Sequence, residues 1–384
     1  MEGRSKLPEI IVISVCVLAL VFGAFFARKT EPAENNPYYT IEYELVKVTQ
    51  ILHESYAVDG ETENALRGSQ SLNVVVLTGR FKGDVMPLNN YLGPLHEKLA
   101  KKGTVLTVTI TSDSREDGYQ MSVVNYDYTL LIAGMIALFV LTAVVVGRKK
   151  GVMSLIGLAY SLLAILFFLV PMWLKGYRAI PLTLTVCAFI TAFSFTLLGG
   201  ISAKTVSAML GAFLCVLFSC GFAAACGAIA GVSGMNMEEA EWLLDESRAL
   251  PGITLNVRGL LVSGIMISAL GAVMDVAMSI ASALYELHSV EPSLTSGKLF
   301  SSGMNIGRDM IGTMTNTLIL AFVGSSLNLI IIMSAAGMQF YQLINNNDVI
   351  MELIRGIAGS IGLMLAVPLT AGAASALLAK RKKA

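Results

Sequence analysis

Two short stretches place ionisable and amide side chains inside otherwise apolar sequence. LGAVMDVAMSIAS carries Asp275, and GRDMIGTMTNTLILAFVGSSL carries Asp309, Thr313, Asn316 and Thr317. At helical spacing, Ser268, Asp275, Ser279 and Ser282 share one face, with Gly264 and Gly271 on the same side. Asp309, Thr313, Asn316 and Thr317 recur at i, i+4, i+7 and i+8 and form a second stripe. An aspartate at the centre of a membrane helix costs ~3 kcal/mol, which makes Asp275 a candidate ion or proton site, with Thr313 and Asn316 as polar ligands. Helix rise puts Asp275 about 14 Å from the inner end of its apolar segment and Asn316 about 10 Å inside the next. Antiparallel neighbours would bring both to similar depth, with Arg308 and Asp309 at the mouth. Ordinary interhelical hydrogen bonding, ~0.6 kcal/mol each on average, is the competing account of Ser279, Ser282, Thr313 and Thr317.

The elements that must position these residues follow from composition. The chain has 384 residues, 55% hydrophobic and 14% charged, with 27 basic and 27 acidic groups. Soluble domains carry roughly 25% charged residues, so a soluble enzyme is excluded as the default, and the zero net charge argues against nucleic-acid binding. Residues 28–128 hold 24 of the 54 charges, with net −4, whereas the remainder is sparsely charged. A bilayer core needs ~20 apolar residues per helix. Eight segments meet this: 10–27, 129–147, 152–174, 179–199, 205–232, 259–284, 309–333 and 353–378. The first is too long for a signal-peptide core and lacks a small-residue cleavage site, so it reads as an anchor. With the N-terminus inside, twelve basic residues border inner ends, including Arg148-Lys149-Lys150 and Lys380 to Lys383, against five at outer ends. The expectation is a lipid-embedded α-helical polytopic protein of about eight spans with both termini cytoplasmic.

Residues 28–128, between the first two segments, read differently. YTIEYELVKV, SLNVVVLTG, GTVLTVTI and YQMSVVNY alternate as β-strands, with glycines at the turns. Five or so strands predict a small extracytoplasmic OB-like barrel, with one or two helical turns at 94–102. Such a domain either packs on the membrane part alone or binds a ligand or protein partner. The organisation expected is an anchor at 1–27, a β-domain at 28–128 and seven spans at 129–384.

Other chemistries find little support. All five cysteines lie in apolar segments, and His53 and His96 stand far apart, so no disulfide framework, metal site or cofactor is expected. GVSG at Gly231–Gly234 resembles an intramembrane serine motif, but His288 falls at the opposite membrane face. An aspartyl pair of Asp275 and Asp309 lacks its usual glycine motif, no nucleotide-binding phosphate loop occurs, and no enzymatic activity is expected. Nineteen methionines with Cys215 and Cys226 raise a soft-metal route, but Met also serves as apolar filling. Leu210–Ser219 and Leu270–Ser279 share the pattern LGAx3Vx2S, a candidate inverted repeat in which Cys215 matches Asp275. Pro368 is expected to kink the last span.

The pair GAVMDVAMSIAS and GRDMIGTMTNTLILAFVGSSL closely resembles the signature region of the YibE/F-like bacterial membrane proteins, and TGRFKGDVMPLNNYLG with KKGTVLTVTI resembles that family's amino-terminal domain. The resemblance implies a polytopic membrane protein and fixes no activity or ligand. Together with the polar stripes, the expectation is a permease or ion-coupled transporter of a small solute or ion. The competing expectation is a scaffold or envelope-assembly factor that recruits partners through residues 28–128.

Overall fold

The computed structural model describes residues 7–28, 39–60, 65–93, 98–113, 119–236, 240–241, 243–244 and 256–380. Contacts divide the chain into residues 32–142 and a second unit of residues 1–31 with 143–384.

In the first unit, alternating side chains build one curled sheet of five antiparallel strands. These are β1 (Tyr39–Asp59), β2 (Ala65–Val76), β3 (Val85–Leu92), β4 (Val105–Asp113) and β5 (Tyr119–Tyr126), in the order β3-β2-β1-β4-β5. The long β1 pairs with β4 along its first half and β2 along its second. Register shifts between Val48 and Gln50 and between Ile51 and His53 bend it. The edge strands β3 and β5 approach each other, and the Phe81 and Tyr119 rings meet at 6.0 Å, making a half-barrel. Every second residue points inward, so Val46, Val48, Leu72, Val74, Leu88, Leu106 and Val108 form the core. The fully buried Gln70 sits among them because its amide is satisfied. Its Nε2 donates to Glu54 Oε1 (2.6 Å) and the Ala100 carbonyl (3.1 Å), while its Oε1 accepts from Asn90 Nδ2 (3.0 Å) and Ala100 N (2.8 Å). Residues 98–103 form irregular backbone and a turn where helix was expected; residues 94–97 lie outside the described set.

The helices are α1 (Leu7–Arg28), α2 (Thr129–Ala164), α3 (Val170–Leu174), α4 (Ala179–Gly199), α5 (Ala203–Ala230), α6 (Leu260–Val290), α7 (Ser296–Ser325), α8 (Leu327–Ala335), α9 (Phe340–Ile344) and α10 (Asn347–Lys380). Among the described residues, six helical segments are long and apolar enough to cross a membrane, with Thr129–Leu174 counted once. The pair α7–α8, bent by 54° at its junction, makes a seventh if it is counted as one span. Backbone geometry in α2 breaks at Arg148 (φ 49°, ψ −131°), and the Ala143 carbonyl occupies the place a Gly151 side chain would take. Residues eight apart in a straight helix are separated by about 12 Å, so the chain reverses at Arg148-Lys149-Lys150. Helix α6 runs six residues past the apolar segment expected to end at 284, and α7 begins thirteen residues before 309, because helical hydrogen bonding continues beyond the apolar stretch.

The long α10 organises the second unit. Gly211 of α5 faces Thr370 and Gly362 faces Ser219, so these helices run antiparallel with backbones close together. Gly303 and Gly307 of α7 likewise admit Ala371 and Val367. Pro368, where a kink was expected, lies inside the helical stretch Asn347–Lys380. The LGAx3Vx2S similarity is only partly matched in burial. Val216 and Val276 are both buried, but Leu210 and Ser279 are exposed whereas their counterparts Leu270 and Ser219 are buried, so the motif is turned differently in α5 and α6.

Candidate functional site

Helix α6 is buried around most of its circumference. From Leu260 to Glu286 its exposed residues are Gly264, Ser268, Gly271, Asp275, Ser279 and Glu286. At 3.6 residues per turn, Gly271 to Ser279 span about 80° of the helix surface. Not one residue of this strip carries an apolar side chain. Helix α5 shows the ordinary alternative, exposing Leu210, Leu214, Leu217 and Phe218. On α7, the exposed residues from Ser301 to Thr317 are also polar or glycine: Ser301, Asn305, Arg308, Asp309, Gly312, Thr313, Asn316 and Thr317. Past them the exposed face turns apolar at Ile319, Leu320 and Val323.

Two contacts set the relative level of these strips. A side chain on Gly303 would stand 2.9 Å from Leu284 Cδ1, and one on Gly359 would stand 3.4 Å from Leu318 and 3.9 Å from Ala269. Nine residues from Leu284 lead to Asp275, and nine from Gly303 lead to Gly312, about 14 Å along each helix. Asp275 therefore stands level with Gly312, beside Thr313, while Asn316 stands near the level of Gly271, about a turn away. Both stripes are coherent and matched in level, but they face outward from the bundle.

Neither the Asp275 carboxylate nor the Asn316 amide has a hydrogen-bond or ionic partner among the described residues. The Thr313 hydroxyl donates to the Met310 carbonyl (3.1 Å) and Thr317 to the Thr313 carbonyl (2.9 Å), which keeps their oxygen lone pairs available. Ser279 is exposed and Ser282 partly buried. Arg308 donates to Asn305 (3.1 Å) and leaves Asp309 unpaired, among the described residues, at the exposed face. No group of three or more His, Cys, Asp or Glu residues that could hold a metal gathers among the described residues. Ser233, whose hydroxyl accepts from Met235 N (3.3 Å), follows α5 at the start of α6. His288 lies 28 residues beyond Leu260, about 42 Å along α6, too far for a catalytic pair.

Long apolar helices with leucine-rich outer surfaces and two separate polar outer strips, each turned away from the α6–α7 contact, point to a polytopic membrane protein. The family model for YibE/F-like proteins matches residues 135–380, and the chain belongs to that family. No curated protein and no solved structure matches the chain.

Proposed function

We propose that this protein is an ion-coupled permease of the bacterial plasma membrane, moving a small solute or ion along the outward polar strips of α6 and α7. In this reading Asp275 is the ion or proton site, Asn316 and Thr313 are solute ligands, and Asp309 sits at the mouth. Ser279, Ser282 and Thr317 extend the polar lining. The observation that carries the reading is the outward strip of α6, which holds a carboxylate and no apolar side chain. A carboxylate facing hydrocarbon is costly, so the α6 strip borders water rather than lipid. Reading α2 as two spans across Arg148 and α7–α8 as one bent span gives eight crossings, with both termini cytoplasmic and the half-barrel outside. The strand order β3-β2-β1-β4-β5, closing from β3 to β5, supports an OB-like barrel. The protein so read carries out transport without covalent catalysis, a cofactor or nucleic acid.

Flux of protons, sodium and divalent metals into vesicles holding the purified protein tests this reading. Asp275→Asn should lower coupled flux about ten-fold or more. Identical flux in both proteins, beside a working control transporter, would remove the coupling role.

Exposed Tyr43 and Tyr91 on the half-barrel favour a second reading, a scaffold that engages an extracytoplasmic protein. A protein partner bound stably to the intact chain, together with silent flux, would select it.

A further inference from the structure

A recess of about 850 Å³ lies where the half-barrel meets the first turn of α2, within the first unit. Leu130 and Leu131 form one wall, at the entry of a helix whose most apolar stretch is nowhere buried in the chain. Leu130 is 86% exposed and Leu131 60%. In a polytopic membrane protein such a surface is clad in lipid, so the recess opens onto the headgroup edge of a leaflet. Tyr126 and Tyr128 also line it, as aromatic side chains do where a chain passes from lipid to water.

The facing wall is cationic, with Lys98, Lys101 and Thr104. These residues stand on irregular backbone that the half-barrel pins at successive points. The Lys98 carbonyl accepts from the Tyr126 hydroxyl, and buried Gln70 holds both the N–H and the carbonyl of Ala100. Lys101 N donates to Thr104 Oγ1 (3.0 Å), and Thr104 N donates back to the Lys101 carbonyl (2.9 Å). That leaves the Thr104 hydroxyl hydrogen free to donate, among the described residues. Lys98 Nζ stands 5.3 Å from the Tyr126 ring and 5.7 Å from the Tyr128 ring, which keeps its ammonium beside the recess.

Neither lysine has a carboxylate partner among the described residues. Asp127, the one carboxylate among the described lining residues, is engaged by the amide and hydroxyl of Thr129. The recess thus carries one net positive charge beside an apolar wall, which matches a single phosphodiester bearing acyl chains. A zwitterionic head brings its own cation toward the lysines and loses that match.

We propose that this recess binds the headgroup of an anionic phospholipid of the phosphatidylglycerol type. Its phosphate pairs with Lys98 and Lys101 and accepts from the Thr104 hydroxyl, while an acyl chain runs along Leu130 and Leu131. The lipid moors the half-barrel to the leaflet at the entry of α2. The site stands whether or not the outward strips of α6 and α7 transport anything.

Native mass spectrometry of the full-length protein released from nanodiscs of equal phosphatidylglycerol, phosphatidylethanolamine and phosphatidylcholine reads the preference. Wild type should retain phosphatidylglycerol about ten-fold above the other two. Lys98→Gln with Lys101→Gln should bring the preference within about two-fold, at an unchanged melting temperature because both side chains are exposed. Singly, Lys101→Gln and Lys102→Gln each remove one exposed charge from the same turn, but only Lys101 lines the recess. Only Lys101→Gln should therefore lower the preference. Undiminished phosphatidylglycerol on the double variant would overturn the proposal. Equal losses at positions 101 and 102 would overturn it too, by reducing the effect to general surface charge. Soluble glycerol phosphate at the lipid's concentration should displace nothing; displacement would show a site for free phosphate instead.

Discussion

Leu284 of α6 fills the space beside Gly303 of α7, and this contact sets Asp275 level with Gly312. Level alignment of two outward polar strips is the geometric core of the permease reading. It rests on a glycine, because a side chain at position 303 would meet Leu284 and Ala371 within 3 Å.

Water access to the strips is directly measurable. In an intact reconstituted protein, a cysteine replacing Ser279 or Thr317 should react with a charged, water-soluble maleimide. A cysteine replacing Leu214, which faces outward from α5, should react at least about ten-fold more slowly, because thiol chemistry needs the hydrated thiolate. Equal rates at positions 279 and 214 would show that the strip faces the same medium as α5.

Gly307→Leu should be strongly destabilising. Its new side chain would enter the volume of Val367 on α10, and overpacking of this kind costs about 1–3 kcal/mol or more. Gly312→Ala, where nothing lies within 4 Å, should leave the thermal midpoint in detergent nearly unchanged.

Replacing Gln70 by Leu should loosen the half-barrel. The substitution leaves Asn90 Nδ2 and the Ala100 amide without their acceptor, at about 1–3 kcal/mol for each buried group. Limited proteolysis of the intact protein should then cut within residues 65–110 faster than in wild type.

Asp127 accepts from the Thr129 amide (2.9 Å) and hydroxyl (2.5 Å) at the start of α2. The Thr129 hydroxyl and then its amide hold the carboxyl below the usual carboxylate range. A depressed folded value stabilises this cap above the ordinary carboxylate pKa, and the effect is lost as pH falls through the folded value. Exchange of the Thr129 amide should accelerate, beyond its intrinsic pH trend, only once pH has fallen below the ordinary carboxylate pKa. Asp127→Asn should abolish that acid-dependent component.

Positions along α6 and α7 were legible in the residues because polar groups at helical spacing must share a face. Their direction was not, since Ser, Gly and Asp read alike whether a neighbouring helix or open space lies opposite. Arg148-Lys149-Lys150 announced a reversal within an apolar run of 46 residues, and the backbone breaks at Arg148. Strand β3 hid behind Pro87, which cannot donate to a ladder; it is tolerated because β3 is an edge strand. An apolar cavity between α7, α8 and α10 left no trace in composition, because it depends on the direction α8 takes after Ser326.

The junction at Ser326 gives one bent helix two mechanical regimes. Below it, Gly303 and Gly307 lock α7 onto α10, so the limb carrying Asp309 to Thr317 moves only with the bundle. Above it, α8 borders an open wedge and exposes Leu327, Ile331 and Ile332, so few dispersion contacts hold it. A stator and a lever thus share a single stretch of chain.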